Sequence, residues 1–403
     1  MKPKSFFNKL LEKIAEGILA ISGSITTLAV LLIVIFLFKE GVGLFNQSSV
    51  DENSIIAVNK QNPINKLKPS DVKKIFDQEL TNWKQLGGND EEIVVVRFTD
   101  ISTYYSDEKL GANLEHLPAC FSNLTDSLKG AIVYMPAKYV LKDFKGKKIH
   151  VDKVSLLDFF AGREWFPTAE PSAQLGILPL ILGTLWVSLG AILLSLPLGI
   201  AVAIYMAEIA SPRFRSFIKP IIELLSGIPS VVFGFFGLIV IVPMIQKTFG
   251  LPVGETGLAG SIILAIMALP TIITISEDAL RTTPRAMKEA SLALGATRWQ
   301  TIYRIVIPYS ISGLTAAAIL GIGRAVGETM AVLMVTGNAA IMPKTLLEPV
   351  RTIPATIAAE LGESSQGGLH YKALFTLGCI LFIITLAINL TVEYISTKRM
   401  NNK

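Results

Sequence analysis

Six apolar stretches alternate with polar segments along the chain of 403 residues. A helix needs roughly 20 mainly apolar residues to cross a bilayer, so each stretch is predicted to be a membrane span. The six spans are predicted at residues 18–38, 178–206, 218–245, 258–276, 311–335 and 373–395. The hydrophilic block 39–175, between the first two spans, has the composition of a soluble domain. The pattern predicts an all-α polytopic membrane protein with six transmembrane helices and one small inserted α/β domain.

Charge adds an orientation to this picture. Only 17% of the residues are charged, and block 39–175 is close to neutral. Four basic clusters flank the spans: Lys2, Lys4, Lys9 and Lys13; Arg213, Arg215 and Lys219; Arg281, Arg285, Lys288, Arg298 and Arg304; Lys398, Arg399 and Lys403. Basic residues favour the cytoplasmic side of a membrane. All four clusters share that side if both termini are cytoplasmic, which predicts an extracytoplasmic position for block 39–175.

These boundaries divide the chain into three parts. Residues 1–38 hold a cytoplasmic segment and the first span, 39–165 form the extracytoplasmic insertion, and 166–403 form a five-helix core. An uncleaved first span is favoured over a signal peptide, because its apolar run is longer than a signal core and no small-x-small site follows it.

Cys120 and Cys379 are predicted to lie in different environments and to stay unpaired, and no metal cluster is indicated.

The stretch GIGRAVGETMAVLMV, residues 321–335, places Arg324 and Glu328 inside an apolar run. In one continuous helix the two would lie on nearly the same face. An ion in hydrocarbon costs at least about 2.5–3.5 kcal/mol, so two interpretations stay open. Either the two form an ion pair that fixes the register of the bundle, or Arg324 lies on a translocation path and Glu328 weakens its hold on an anion. Gly323 and Gly327 would let a neighbouring helix or subunit approach closely.

The polar loop 277–308, between spans four and five, predicts two short helices. Thr283 and Pro284 are typical of a helix start, and Gly295 is a plausible helix end because glycine readily adopts the left-handed conformation. A second helix is predicted from Thr297 towards the membrane. From composition alone, a solvated connector is the simpler interpretation of this segment.

The spacing within this loop resembles the EAA loop of importer-type ABC permeases. The residues that carry the resemblance are Glu289, Ala290, Ser291, Gly295, Ile305, Ile307 and Pro308, with Ser291 where the family has alanine. In that family the loop forms a coupling helix that docks into a groove of the ATPase subunit. The chain contains no GxxxxGK[ST] phosphate loop, so the resemblance implies that the ATPase is a separate chain and that this chain is not an enzyme.

Four further stretches resemble the permeases of phosphate importers, closest to the PstC-type subunit: GILPLILGTLWVS, ELLSGIPSVVFGFFGL, GRAVGETMAVLMVTGN and AAELGE…HYKALFTLG. The resemblance implies the fold of type I ABC importer permeases and inorganic phosphate as the substrate. As partners it implies a PstA-type second permease, an ABC ATPase dimer, a phosphate-binding protein and membrane lipid, with no nucleic acid and no cofactor in this chain. It also favours a transport role for Arg324 and Glu328.

Span three adds two residues to the predicted pathway. Glu223 lies in the family-like segment ELLSGIPS and is a second candidate partner for Arg324. Gly227 and Pro229 are predicted to break this helix. Broken helices in a membrane often form substrate sites, so Ser230, next to the break, is a further candidate.

The insertion reads as a small mixed domain, with strands near 54–60, 91–98 and 130–136 and a helix near 68–80. Residues 56–96 resemble part of a periplasmic phosphate-binding protein. Where that family places a glycine-containing stretch that cradles phosphate, this chain reads RFTDISTYYSDEKLGA. The insertion is therefore interpreted as one reduced lobe without its own phosphate site, and an unrelated α/β insertion is the alternative.

Two other functions remain open from the sequence. A permease for another oxyanion, such as sulfate or molybdate, would share the same fold. A membrane-anchored phosphate sensor would use the insertion as its receptor, but it would need neither six spans nor a coupling loop.

Overall fold

The computed structural model describes residues 6–401, except residues 52, 112 and 113. Lys2, Lys4 and Lys403 of the predicted basic clusters lie outside the described residues. Within them, five helices are long and apolar enough to span a membrane. The helix pair Arg298–Tyr309 and Ile311–Gly327, which is bent by 71°, brings the number to the predicted six when it is counted as one span.

The insertion follows helix α1, Phe6–Val42. Its elements are β1 Ser54–Val58, β2 Lys66–Leu67, α2 Pro69–Phe76, β3 Val94–Val96, α3 Ile101–Tyr104, α4 Asp107–Leu110, α5 Leu117–Ser127, β4 Ala131–Pro136, β5 Lys147–Lys148, β6 His150–Val151, α6 Leu156–Ala161, β7 Trp165–Phe166 and β8 Gln174–Leu175. Short 3₁₀ turns lie at Gly43–Asn46, Trp83–Leu86, Phe98–Asp100 and Ala137–Tyr139. The three predicted strands and the predicted helix are present with shorter bounds.

The main sheet of the insertion has four strands in the order β3-β4-β1-β5. Strand β4 runs antiparallel to β1 and parallel to β3. Successive side chains of a strand point to opposite faces, and here both faces are covered. Ile132 packs with Trp83 on the face beneath α2, and Val133 packs with Phe121 on the face beneath α5. The insertion therefore has an apolar core on each side of its sheet.

The membrane core follows the insertion. Its helices are α7 Leu178–Ile204, α8 Pro212–Ser226, α9 Ser230–Phe236, α10 Val242–Phe249, α11 Gly257–Arg281, α12 Arg285–Ala293, α13 Arg298–Thr301, α14 Ile307–Tyr309, α15 Ile311–Gly327, α16 Met330–Val335, α17 Ile353–Glu360 and α18 Leu369–Asn401. Three π-helical segments, Tyr205–Ile209, Gly237–Ile241 and Ile302–Val306, extend α7, join α9 to α10 and join α13 to α14. Below, the insertion end is the end of the bundle that carries the insertion, and the loop end is the end that carries residues 277–308.

Helix α11 packs closely against α7 and α15 through glycines on the two neighbours. The contacts are Gly190 with Ser261, Gly199 with Ile272, Gly313 with Ala279, and Gly321 with Ile272. A Cβ atom placed on Gly313 would lie 2.3 Å from the Cβ of Ala279. Absence of a side chain at these positions lets the helices approach, which supplies the van der Waals contact that holds helices together in a membrane.

Two predicted spans differ from the structure. The span predicted at 218–245 is divided: α8 ends at Ser226, and a separate helix begins at Ser230 after the break that Gly227 and Pro229 predicted. The span predicted at 311–335 ends at Gly327, because Glu328 takes an extended backbone conformation (φ −68°, ψ 133°) before α16. Hydropathy did not indicate this second break, since apolar residues continue on both sides of it.

The insertion shares an apolar cluster with the membrane helices. Phe159, Trp165 and Leu175 of the insertion pack with Ile353 and Leu377 of the core. The predicted boundary at 165 therefore falls inside a continuous packed region. Because the contacts are buried and apolar, they hold the insertion against the bundle.

A half-buried polar cluster reinforces the same junction. The carboxylate of Glu360 accepts a hydrogen bond from Trp165 Nε1 (3.0 Å), pairs with Arg351 Nη2 (2.7 Å) and lies 2.8 Å from His370 Nε2. Burial raises the pKa of Glu360, but the hydrogen bonds with His370 and Trp165 and the charge of Arg351 outweigh it, so the pKa lies below its ordinary value of 4.5. The carboxylate is therefore ionised at neutral pH and links the insertion to two core helices.

Candidate functional site

Arg324 lies near the middle of the bundle. It occupies the last turn of α15, is half-buried, and donates from Nη1 to Thr271 Oγ1 of α11 at 3.3 Å. Thr271 is the fifteenth residue of α11 (Gly257–Arg281). At a rise of about 1.5 Å per residue, it lies roughly 21 Å from the first residue of that helix and roughly 15 Å from the last. The guanidinium is thus far from both ends of the helix.

Glu328 does not pair with Arg324. The helix ends between them, which contradicts the prediction that the two share one helical face. Glu328 Oε1 instead accepts a hydrogen bond from the backbone N–H of Ala331 at 3.4 Å, at the start of α16. Among the described residues, no carboxylate lies within 4.0 Å of the Arg324 guanidinium. The first interpretation of the pair, an internal ion bridge within this chain, is therefore wrong.

The last turns of α8, which lead into the break in span three, pack close to the part of α11 that binds Arg324. Ile222, close to the end of α8, packs with Ile273, two residues from the Thr271 partner of Arg324. Beyond the break, α9 packs on α16, since a Cβ on Gly234 would lie 3.1 Å from Ala331 Cα. The structure thus brings the two broken helices together near the level of the guanidinium.

The structure shows no hydrogen bond or ion pair between Arg324 and the other two predicted pathway residues, Ser230 and Glu223, among the described residues. Ser230 is half-buried at the start of α9, beside the break. Glu223 is exposed on α8, and the described residues contain no ion pair between it and Arg324. Its predicted role as a second partner of Arg324 is not seen in this chain.

Gly323 and Gly327 do not make the packing contact that was predicted within this chain. A Cβ atom on either glycine would have no neighbouring atom within 4 Å in the described structure. The glycines of α15 that contact another helix are Gly313 and Gly321. Gly313 and Gly321 are eight residues apart and Gly323 and Gly327 only four, so the GxxxG spacing alone does not identify the packed face. Gly323 and Gly327 leave an open surface on α15.

The loop 277–308 forms the predicted helix–glycine–helix. Gly295 has φ +84°, a conformation that favours glycine, and Thr297 forms a capping box with Gln300 at the start of α13. Ser291 Oγ lies 3.0 Å from Thr301 Oγ1, so buried hydroxyls join the two helices. The turn is therefore fixed by local hydrogen bonds and not a loose connector.

The outer surface of this loop is apolar and exposed. Glu289 and Ala290 are exposed, whereas Ser291 is buried against α13. Leu294 is 90% exposed and Trp299 is 61% exposed. Large apolar side chains presented on a rigid helical turn are typical of a surface that binds another protein.

An ion-pair network behind the loop was not predicted from the sequence. Glu277, with a side chain only 1% exposed, binds Arg215 Nε at 2.5 Å and also lies within 4.0 Å of Lys219 and Arg281. Separately, Lys288 of α12 donates to Glu208 at 2.5 Å. These contacts connect the loop to α8 and to the end of α7. The i, i+4 spacing of Glu277 and Arg281 was the only local signal for this network, because Arg215, Lys219 and Glu208 are each more than 55 residues from their partners along the chain.

The insertion has a carboxylate after β3, where the resemblance to binding proteins predicted the comparison with a phosphate-cradling stretch. After β3, the side chain of Asp100 accepts a hydrogen bond from the backbone N–H of Arg97 at 3.0 Å. The hydroxyl of Thr99 donates to the same carboxylate at 3.2 Å. The carboxylate of Asp100 thus accepts hydrogen bonds from two donors, Arg97 N–H and Thr99 Oγ1, at the end of this strand.

Comparison with known proteins gives two family matches. Residues 195–400 match the family described as "Binding-protein-dependent transport system inner membrane component". Residues 41–171 match the "PBP superfamily domain". The first match lies within the membrane core, and the second lies over the insertion.

Curated relatives are similar to this chain over most of their own length. The chain is 38% identical over 273 residues to a "Probable ABC transporter permease protein YqgH" of Bacillus subtilis, covering 67% of this chain and 88% of that protein. It is 39% identical over 255 residues to a "Phosphate transport system permease protein PstC" of Mesorhizobium japonicum, covering 59% and 77%. Among solved structures, the inward-facing MetNI methionine ABC transporter aligns with 55% of this chain and 94% of that chain, at 21% identity and a TM-score of 0.41.

The isolated insertion is predicted to fold without binding phosphate. Its two apolar clusters lie within residues 50–151, so a fragment of residues 47–154 should retain both. The expected result is a cooperative thermal transition together with no heat of phosphate binding at millimolar ligand by calorimetry, because Asp100 already occupies the donors and repels an anion. A folded fragment that bound phosphate at micromolar concentration would instead make the insertion a tethered substrate receptor.

Proposed function

The chain belongs to the inner membrane components of binding-protein-dependent transport systems, and we propose that it is the PstC-type permease subunit that moves inorganic phosphate into the cytoplasm. The proposal is supported by the relatives named as phosphate transport permeases and by one observation above all. A half-buried arginine without a carboxylate partner within the described chain lies beside two broken helices near the middle of the bundle. A cation placed there suits an anionic substrate.

Arginine matches phosphate in both geometry and charge. Its planar guanidinium can donate two parallel hydrogen bonds to phosphate oxygens and does not deprotonate at physiological pH. A permease must also release its substrate. Thr271 shares one donor of Arg324, and Glu328 lies four residues along the chain at the break, so the site is not a bare cation. Arg324, Glu328 and Ser230 are the residues we assign to the pathway, with Glu223 at its margin.

The proposed orientation puts both termini and the loop end in the cytoplasm. The basic residues Arg213, Arg285 and Arg298 lie at the loop end, as expected for the cytoplasmic side. Residues 39–175 are then extracytoplasmic, on the side from which a substrate-loaded binding protein would approach.

The loop surface is proposed to dock on a separate ATPase subunit, one of a pair. The rigid turn at Gly295 and the exposed Leu294 and Trp299 supply a shape and an apolar anchor for such contact. The open surface at Gly323 and Gly327 is proposed to face a PstA-type second permease, since glycines allow close helix approach. The insertion is proposed to receive the external phosphate-binding protein.

Transport by the reconstituted complex tests the proposed function. Vesicles containing this chain, the second permease and the ATPase pair, with binding protein outside, should accumulate labelled phosphate when ATP is supplied. Excess sulfate or molybdate should not reduce the uptake. Accumulation of sulfate or molybdate in preference to phosphate would favour the other-oxyanion permease, and a phosphate-dependent response without any uptake would favour the sensor.

Substitution of Arg324 tests the pathway assignment. Arg324→Gln should lower uptake by roughly ten- to a hundredfold, the loss expected when a charge-assisted hydrogen bond to the anion is removed. Arg324→Lys keeps the charge without the planar donors and should retain an intermediate rate. The exchange Arg324→Glu with Glu328→Arg conserves net charge but moves the cation past the helix break, so it should assemble without transporting. Normal uptake by the exchanged protein would show that the cation does not meet the substrate.

Substitution of Gly295 tests the docking loop. At φ +84°, valine is strained by at least about 1 kcal/mol, so Gly295→Val should distort the turn while the spans stay inserted. We expect ATP hydrolysis that binding protein and phosphate no longer stimulate, measured beside uptake in the same vesicles. Gly362→Val is the matched control, because that glycine is exposed, has no neighbour within 4 Å of a Cβ and lies at the insertion end. Stimulation equal to that of the control would remove the docking assignment.

A further inference from the structure

A second cation-lined space lies at the loop end. A cavity of about 520 Å³ opens between α8, α11 and the first turn of α12. Five cationic side chains line it: Arg215, Lys219, Arg281, Arg285 and Lys288. Within the described residues, no aspartate or glutamate does so. The cavity therefore presents positive charge to whatever enters it.

The neighbouring carboxylates do not balance this charge. Glu277 binds Arg215, Lys219 and Arg281, Asp278 binds Lys219, and Glu208 binds Lys288. Five cations against three carboxylates leave two positive charges in excess. Arg285 has no carboxylate within 4.0 Å among the described residues. An anion with one or two negative charges would neutralise the remainder.

This space is separate from the proposed pathway. Arg324 contacts Thr271, whereas the cavity lies against Arg281, ten residues further along α11. At about 1.5 Å per residue, Thr271 and Arg281 are roughly 15 Å apart along α11. A group bound by Arg281 and Arg285 is therefore bound by different residues from an anion that Arg324 meets.

We propose that this cavity binds a phosphate group, supplied either by inorganic phosphate or by the headgroup of an anionic phospholipid. Arg281 and Arg285 offer planar donors that match phosphate oxygens, and Lys219 supplies a point charge. The first turns of α8 and α12 also border the cavity and add partial positive charge to these side chains. Both sources have access, since Phe214 and Phe217 leave an exposed apolar face on α8 and the loop end is open.

Occupation of the cavity would act on the loop. Arg285 and Lys288 belong to α12, the first helix of the docking turn, while Arg215 and Lys219 belong to α8. A phosphate group held by both helices would fix the start of α12 against the bundle, together with the existing contact between Lys288 and Glu208. The cytoplasmic location of the site rests on the proposed function, but the binding itself does not.

Binding to the full-length chain in detergent tests the proposal without any transport step. One arm measures labelled inorganic phosphate by equilibrium dialysis, and the other measures retention of phosphatidylglycerol against phosphatidylcholine by native mass spectrometry. Arg285→Gln should weaken binding about tenfold in one of the two arms, the loss expected for a charge-assisted hydrogen bond. Arg285→Lys should restore most of it. The matched control is Arg213→Gln, an exposed arginine near the start of α8 that does not line the cavity.

The arm that responds identifies the source. A loss confined to dialysis assigns inorganic phosphate, and a loss confined to mass spectrometry assigns the lipid. An Arg324→Gln background separates any phosphate held at the pathway from phosphate held in the cavity. The proposal is wrong if Arg285→Gln and Arg213→Gln bind like the unchanged chain in both arms, or if neither ligand binds. That result would favour an acidic segment of a partner protein as the ligand of these five cationic side chains.

Discussion

The position of Arg324 depends on the close packing of α11 between α7 and α15. Backbone groups in a bilayer must be hydrogen-bonded within the protein, so breaks in helices are tolerated only where other helices or a polar cavity surround them. Helix α11 is continuous from Gly257 to Arg281, and the broken helices pack beside it. Gly199 and Gly321 both pack on Ile272, one residue from the Thr271 partner of Arg324. The two broken helices, α8–α9 and α15–α16, then meet beside a fixed support, and the guanidinium is positioned by it.

Local chemistry explains which features could be predicted from the sequence. Apolar length predicted the spans, and short apolar runs between polar segments predicted the strands. Gly295 predicted a turn because glycine adopts positive φ without strain, and Pro229 predicted a break because proline cannot continue a helix. The break before Glu328 was missed, since no proline marks it and hydropathy is unchanged across it. The packing glycines and the Glu277 network were missed for another reason. Both depend on which helix lies opposite, which is a property of the assembled bundle and not of a segment.

Glu277 and Arg324 illustrate different physical situations. Glu277 is nearly inaccessible and is surrounded by three cations, so its desolvation is offset within this chain. Arg324 is half-buried, and its one hydrogen-bond partner among the described residues is the hydroxyl of Thr271. A cation placed in a bundle without a carboxylate is costly unless water, another subunit or an anion compensates it. This difference separates a charge that holds helices together from one available for an external anion, which spacing in the sequence could not distinguish.

The insertion gains its position from the core, and an aspartate of the chain itself lies where an anion site was sought. Its apolar base continues into the cluster around Ile353 and Leu377, and Trp165 donates to the ionised Glu360 between α17 and α18. A binding lobe that closes on a ligand must be free to move, whereas this one is fixed by packing on one side. Asp100 meanwhile supplies from within the chain the oxygens that a bound anion would provide. A fixed lobe with an internally satisfied site is suited to present a surface to an arriving binding protein and not to compete with it for substrate.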